Sequence, residues 1–404
     1  MATNKVKNIG VIVFGTTSTR QLITNRTTDL KKDEKGEFVM PTPEEIVDKS
    51  YGEFVNSLQS SIPIFLNTAL LKPLWEYTRK NEGVLTFYGC DNLLRDVEGD
   101  FSVRTLRDPD TWNLDDIDIL VCIGNPDDED FEHPSDRLIA KYELIKKVGQ
   151  TKKVIYVHQY AYPEIYTTAE DERFDLTSIL PNLRIALDVS NLNTTKKYYD
   201  ERFKDCEFVN VNLYDILYKD FVDLAVEKYN VKEISELNGY KETEDVRNFF
   251  SNVDINRSTD NTSVQRLRDL IEPLLNEYSG LVWGVCDRNK IDGKIFADPN
   301  GDNLTLNPTK YYTLDCIIHN LFTCAYYISL GDTHMCDMGM SDPCIKCALI
   351  CGVPVLSTLE DKSIEGIEVC PDVKSLKSSL GRKETPKVTK LPEYKPFNTD
   401  KLLN

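Results

Sequence analysis

"AYYISLGDTHMCDMGMSDPCIKCALICGVPVL", residues 325–356, decides how the chain is read. An apolar run stops at Gly331-Asp332. A polar loop holding Gly339, Ser341 and Asp342 leads into a helical segment, "DPCIKCALICG". Gly352 and Pro354 then turn the chain into a second apolar run. Strand, loop, helix and strand in that order make a βαβ unit. Four of the chain's eleven cysteines fall between 331 and 356 and invite a metal reading. A structural zinc site pairs two short Cys-x-x-Cys units on separate loops. Here Cys344, Cys347 and Cys351 recur at i, i+3 and i+7, on one face of one apolar helix, with no second unit. Small polarizable side chains packing a helix onto a sheet are the expected role. The loop before the helix has a chemistry of its own. A helix start concentrates unpaired amides and positive dipole, which suits a diphosphate. A plain βαβ unit without a ligand fits the periodicity equally well.

The same alternation extends in both directions. "NIGVIVFGTTSTR" (8–20) is a strand running into a glycine and hydroxyl loop. Thr42, Pro43 and two glutamates open a helix over 42–59. "NTALLKPLWEYTRKN" is helical. Strands are expected at 83–89, in "DDIDILVCIGNPDDED" (115–130), at 152–163, 183–190 and 206–212. Helices are expected at 135–148 and in "TTKKYYDERF". A second series follows: a helix at 215–230, a strand in "DVRNFFSNVD", a helix in "TDNTSVQRLRDLIEPLLNEY", a strand at 279–287 and a helix in "TLDCIIHNLFTC". The fold class is therefore α/β with parallel sheets covered on both faces. The expected division is 1–215, 216–385 and a polar, proline-rich tail at 386–404 that is extended and packs late, if at all.

Composition narrows the function. The formal net charge is −18, which argues against a broad basic face. Local Lys/Arg clusters at "RLIAKYELIKK" (137–147) and "KKYYDERFK" (196–204) still leave room for a basic groove. No apolar run approaches the roughly 20 residues that span a bilayer, and the amino-terminal run is too short for a signal-peptide core. A cytoplasmic protein with free thiols and no membrane partner is expected.

Five stretches, in order, resemble the GT-B glycosyltransferases, and among them the phage enzymes that glycosylate modified cytosine in DNA. "IGVIVFGTT" is similar to their opening strand and loop, with Gly15 and Thr16 at its turn. "LDDIDILVCIG", "LIAKYELIKK" and "KKVIYVH" follow their strand–helix–strand order. "FFSNVDINRSTDNTS" resembles the diphosphate loop, with Arg257 and Ser258 at the matching places. "GLVWGVCDRN" resembles the strand facing the nucleotide base, through Gly284 and Val285. The stretch 325–356 resembles the Gly-Asp loop and ribose-phosphate helix, through Gly331, Asp332, Ser341, Asp342 and Lys346. The resemblance implies a GT-B fold of two facing Rossmann-like domains with a central cleft. It implies a UDP-sugar donor, glucose or arabinose, an acceptor hydroxyl on a hydroxymethylated cytosine in duplex DNA, and a monomer. A divalent metal is compatible but indicated by no motif.

The departures are specific. The family's ribose glutamate is replaced by Cys347, and the arginine before it is absent, leaving Lys346 for the phosphates. The family's aspartate base is replaced at the aligned place by Tyr160. The nearest usable base is His158, with Asp188 as a second acceptor-side candidate. Each residue also has an ordinary structural role open to it: a hydrogen-bonded histidine, a turn aspartate, a solvated arginine. Thr17 and Arg20 would line the site from the first domain, and His334 and Asp337 would reach sugar hydroxyls. Three functions stay open: transfer to modified DNA, transfer to a polysaccharide, protein or small molecule, and a non-catalytic binding scaffold.

Overall fold

The computed structural model describes residues 6–13, 70–88, 103–106, 109–123, 136–158, 173–187, 189, 192–197, 199, 203, 206–230, 236, 247–254, 267–275, 277–285, 304–308, 314–330, 342–359 and 364–404. They form two compact units, divided between Asn212 and Leu213, with Phe397–Asn404 belonging to the first.

The first unit is built on a seven-stranded parallel sheet in the order β3-β2-β1-β4-β5-β6-β7. Its strands are β1 (Ile9–Val13), β2 (Leu85–Tyr88), β3 (Val103–Leu106), β4 (Ile119–Ile123), β5 (Lys153–His158), β6 (Leu183–Leu187) and β7 (Glu207–Asn210). All five residues of β4, Ile-Leu-Val-Cys-Ile, are buried. A central parallel strand is covered on both faces, which is why it reads as a continuous apolar run. Helices α1 (Leu71–Lys80), α2 (Asp136–Gly149) and the short α3 (Leu192–Lys196) belong to this unit.

The second unit carries six parallel strands in the order β10-β9-β8-β11-β12-β13. They are β8 (Arg247–Asp254), β9 (Gly280–Val285), β10 (Leu304–Pro308), β11 (Cys324–Ser329), β12 (Val355–Ser357) and β13 (Ile367–Val369). The helices here are α4 (Leu213–Tyr229), α5 (Leu314–Phe322), α6 (Pro343–Ile350) and α7 (Val373–Leu380). Counted within each unit, six strands share one order, 3-2-1-4-5-6, and the first sheet adds a seventh. This is the Rossmann order. Its strand sequence reverses direction between the first and fourth strands, here β1/β4 and β8/β11. The α/β class with two parallel sheets is thus as expected.

Several elements differ from the sequence reading. Strands β3, β10 and β13 and helix α7 were not expected. They are three to eight residues long, and pairing or capping rather than pattern defines them. Asp372 caps α7 by accepting from the Ser375 amide at 2.7 Å, and the Ser375 hydroxyl lies 3.2 Å from the Asp372 amide. The helix expected over "TTKKYYDERF" ends at Lys196. Tyr199 and Phe203 turn inward instead, and Tyr199 meets Phe208 edge-to-face at 5.0 Å. Of the helix expected up to Tyr278, the described part holds a π turn (Leu267–Ile271) and a 3-10 turn (Glu272–Leu274) interrupted by Pro273. The helix expected over 42–59 lies outside the described residues.

The tail is extended, as expected, but it packs. Helix α8 (Thr399–Leu403) ends it, with Leu402 and Leu403 buried. Asn398 caps α8 from its side chain, 3.0 Å from the Lys401 amide. Arg184 of β6, itself only 4% exposed, explains the docking. Its guanidinium donates to the carbonyls of Leu402 and Lys401 and pairs with Glu207 at 2.7 Å. Polar composition gave no hint of this, because two leucines and cations distant in sequence, Arg184 and Lys153, do the holding.

One ion pair in the second unit sets a pH dependence. Arg382 holds Glu368 bidentately at 2.6 and 2.7 Å, and the Ser379 hydroxyl donates to the same carboxylate at 2.6 Å. Hydrogen bonding from Arg382 lowers the Glu368 pKa, partly offset by burial. A depressed carboxyl contributes stability that is present above its unfolded pKa, roughly 4.3. That contribution is lost as pH falls through the lower folded value. Between those two values, the pH dependence of thermal stability should therefore be shallower in Glu368→Gln than in the parent. Parallel curves would remove the pair from the pH response.

Candidate functional site

Two candidate positions of the second unit, Gly284 and Val285, lie at the carboxyl edge of its sheet. β8 ends at Asp254, which lies opposite Val285, while Gly284 lies between Val253 of β8 and Pro308 of β10. β11, the other neighbour of β8, ends at Ser329, and Ser251 of β8 donates to the Ile328 carbonyl at 2.8 Å. Gly284 and Val285 are thus brought to the strand edge next to the reversal point. In open α/β sheets ligands bind outside this edge, at this point.

Asp342 joins the edge to the helix. It caps α6 with one carboxylate oxygen, 2.9 Å from the Cys344 amide. Its other oxygen accepts from the hydroxyls of Tyr327, at 2.7 Å, and Ser329, at 2.8 Å. Tyr327 and Ser329 are buried, two apart on one strand, and so share a face. The carboxylate is spent on holding the helix start against β11. Its role is to place α6, with Pro343 supplying the fixed φ that suits the first helical position. The sequence reading missed Tyr327 and Ser329. Their spacing on one strand face was visible, but not that Asp342, thirteen residues beyond Ser329, would be their acceptor.

The α6 cysteines pack inward. Cys344, Cys347 and Cys351 are free thiols, 0%, 7% and 1% exposed. Burial pushes the Cys347 thiol up to about 12, and the Asp342 charge adds to it. Burial raises Cys351 as well. At neutral pH these are protonated, inert side chains. Among the described residues no group of three or more His, Cys, Asp or Glu is placed to hold a metal ion. Cys347, at the place where the resemblance implies a ribose contact, is thus a buried thiol. Lys346 is half-buried. Its charge acts on Asp215 near the start of α4, whose carboxyl burial raises and the Lys395 amide, Lys346 and Lys395 lower.

In the first unit, His158 is the last residue of β5 and lies opposite Leu187, the last of β6. The backbone of His158 is thus at a carboxyl strand edge. Asp188, Gly15, Thr16, Thr17, Arg20, Tyr160, Arg257, Ser258, Gly331, Asp332, His334, Asp337 and Ser341 lie outside the described residues. The clusters that left room for a DNA groove are partly absorbed by packing. Lys141 is 1% exposed, Tyr199 8% and Phe203 0%. Lys196 lies over the Phe208 ring at 5.0 Å. No described helix is long and apolar enough to cross a membrane.

No protein-family model matches the chain, and no curated protein matches it by sequence. Solved structures do show a distant likeness. A protein from Listeria monocytogenes described as a putative UDP-N-acetylglucosamine 2-epimerase is 12% identical, with 89% of this chain and 81% of that one covered and a TM-score of 0.43. A glycosyltransferase from Rickettsia africae is 10% identical, with coverage of 93% and 87% and a TM-score of 0.40. The chain spans 46% of a glycosylation-associated protein from Streptococcus agalactiae, at 12% identity and a TM-score of 0.32. Likenesses this distant carry no substrate or mechanism across, and the Rossmann order above rests on this chain's own strand pairing.

Proposed function

We propose that the chain is a sugar-nucleotide enzyme of GT-B type, a glycosyltransferase that takes a UDP-sugar donor at the carboxyl edge of its second sheet. One observation carries the reading. At the β8/β11 reversal point, the start of α6 is fastened to β11 by the Tyr327–Ser329–Asp342 hydrogen bonds. The first amides of α6 are engaged, Cys344 by the Asp342 carboxylate and Ile345 by the Asp342 carbonyl, and Pro343 has none, so this anchoring would instead fix the position of Lys346 and of the loop before α6 against a leaving diphosphate. Gly284 and Val285 would present backbone to the base. Arg257, Ser258, Lys346 and the Gly331-Asp332 loop would supply the phosphate and sugar contacts, and His158, aided by Asp188, the acceptor side.

We assign the acceptor to a hydroxyl-bearing molecule other than duplex DNA. The net charge of −18 and the burial of Lys141, Tyr199 and Phe203 favour this over modified cytosine. The test is UDP titration by calorimetry, then UDP release from a panel of UDP-sugars with and without hydroxymethylcytosine duplex. Saturable UDP binding that weakens tenfold or more in Arg257→Ala is expected, with sugar-dependent release that modified DNA leaves unchanged. Release that requires the modified duplex would restore the DNA acceptor. Donor consumption without UDP release would indicate epimerisation. Absence of UDP binding by folded protein would overturn the donor site.

A further inference from the structure

Among the described residues, the chain passes between the two units at Asn212–Leu213 and again at Pro396–Phe397. The second passage is made by an arm unlike the rest of either unit. From Arg382 to Phe397 it forms no helix or strand. The second unit holds it at scattered points. Val388 is buried; Lys390 pairs with Glu365, both well exposed; Tyr394 stacks on Tyr218 at 4.2 Å; and the Lys395 amide donates to Asp215 at 3.1 Å.

Its end then enters a built cradle on the first unit. Leu402 and Leu403 fill it. Arg184 takes the carbonyls of Lys401 and Leu402, Lys153 donates to the Asn404 carbonyl at 3.1 Å, and Asp400 lies beside the buried Tyr77 of α1. The cradle is specific, yet the segment it holds is short. Burial of two leucines falls short of the cost of ordering seven residues, so the segment stays docked only with the help of the hydrogen bonds from Arg184 and Lys153. β5 and β6 beneath it are central strands buried on both faces. A segment so balanced, fed by an extended chain, opens locally while its support stays folded.

We propose that residues 398–404 are a detachable latch. α8 leaves and re-enters the Tyr77–Lys153–Arg184 cradle of the first unit while that unit remains folded. The occupant of the cradle is the chain's own segment, read by two leucines and by backbone carbonyls presented to two cations. This is independent of the donor-site reading.

Hydrogen exchange of the full chain tests it. The amides of Leu402 and Asn404, bonded to Asn398 and Asp400, should exchange at least about a hundredfold faster than those of β5 and β6, as local opening allows. Exchange as slow as in those strands would overturn the latch. A second measurement uses the full chain with Leu402→Asp and Leu403→Asp together and a fluorescein-labelled peptide of residues 397–404. The peptide should bind this variant saturably and more tightly than the parent, whose cradle is filled, while the same peptide bearing both aspartates should not bind. No binding to a folded variant, or loss of the first unit's fold in the variant, would also overturn it.

Discussion

Asp342→Ala is expected to lower the stability of the second unit by about 3–5 kcal/mol, more than an ordinary helix cap. Loss of a capping side chain alone accounts for about 0.5–2 kcal/mol. The remainder comes from Tyr327 and Ser329, whose hydroxyls lose their acceptor in a buried place. Each stranded donor costs about 1–3 kcal/mol unless it finds another partner. Asp342→Asn is expected to lose less, because asparagine caps well and its amide nitrogen can donate to both hydroxyls, with both of those donor–acceptor pairs reversed. Chemical denaturation of the parent and both variants decides. If the alanine variant loses under about 1 kcal/mol, the hydrogen bonds to β11 contribute nothing beyond the cap. If UDP affinity falls while stability holds, the carboxylate faces ligand rather than fold.

The second large effect concerns the backbone beneath that site. Gly280, the first residue of β9, lies opposite Phe249 of β8. A Cβ there would stand 2.1 Å from Phe249 Cζ and within 2.7 Å of both adjoining ring carbons. The ring is fully buried in a cluster with Ile271, Leu274, Ile328 and Leu356, so it has no open side to move into. Gly280→Ala should destabilise by about 2–3 kcal/mol, at the upper end of overpacking, even after its smaller unfolded-state entropy is credited. The same substitution in a Phe249→Leu background should do less harm, because the smaller side chain gives the methyl room. A double-mutant cycle measures the difference. Strict additivity would show that the clash is relieved elsewhere.

Strand existence followed from local chemistry. β4 and β11 are apolar runs long enough to be buried on both faces, and α6 is set between Asp342-Pro343 and Gly352, residues that start and stop helices on their own account. The inward face of its cysteines followed from helical spacing alone. Alternation of such elements was sufficient for an α/β chain with parallel sheets, because parallel neighbours need a crossover between them.

Other features exist only through partners distant in sequence. β3, β10 and β13 have side-chain patterns too short to announce a strand, and the strand beside each one makes it. Tyr199 and Phe203 look, with the lysines around them, like a surface for nucleic acid until Tyr199 packs between Phe203 and Phe208 and both are buried. Asp342 looks like a ligand group until Tyr327 and Ser329 claim its carboxylate. The last helix is invisible in a polar tail, since Arg184, more than two hundred residues earlier, supplies the cation that receives its carbonyls. Local pattern determined which segments are strands and helices, through the fit of side-chain period to burial. Which polar groups remain for chemistry was decided by the tertiary structure, because a buried hydroxyl, carboxylate or guanidinium must find its partner wherever the fold puts one.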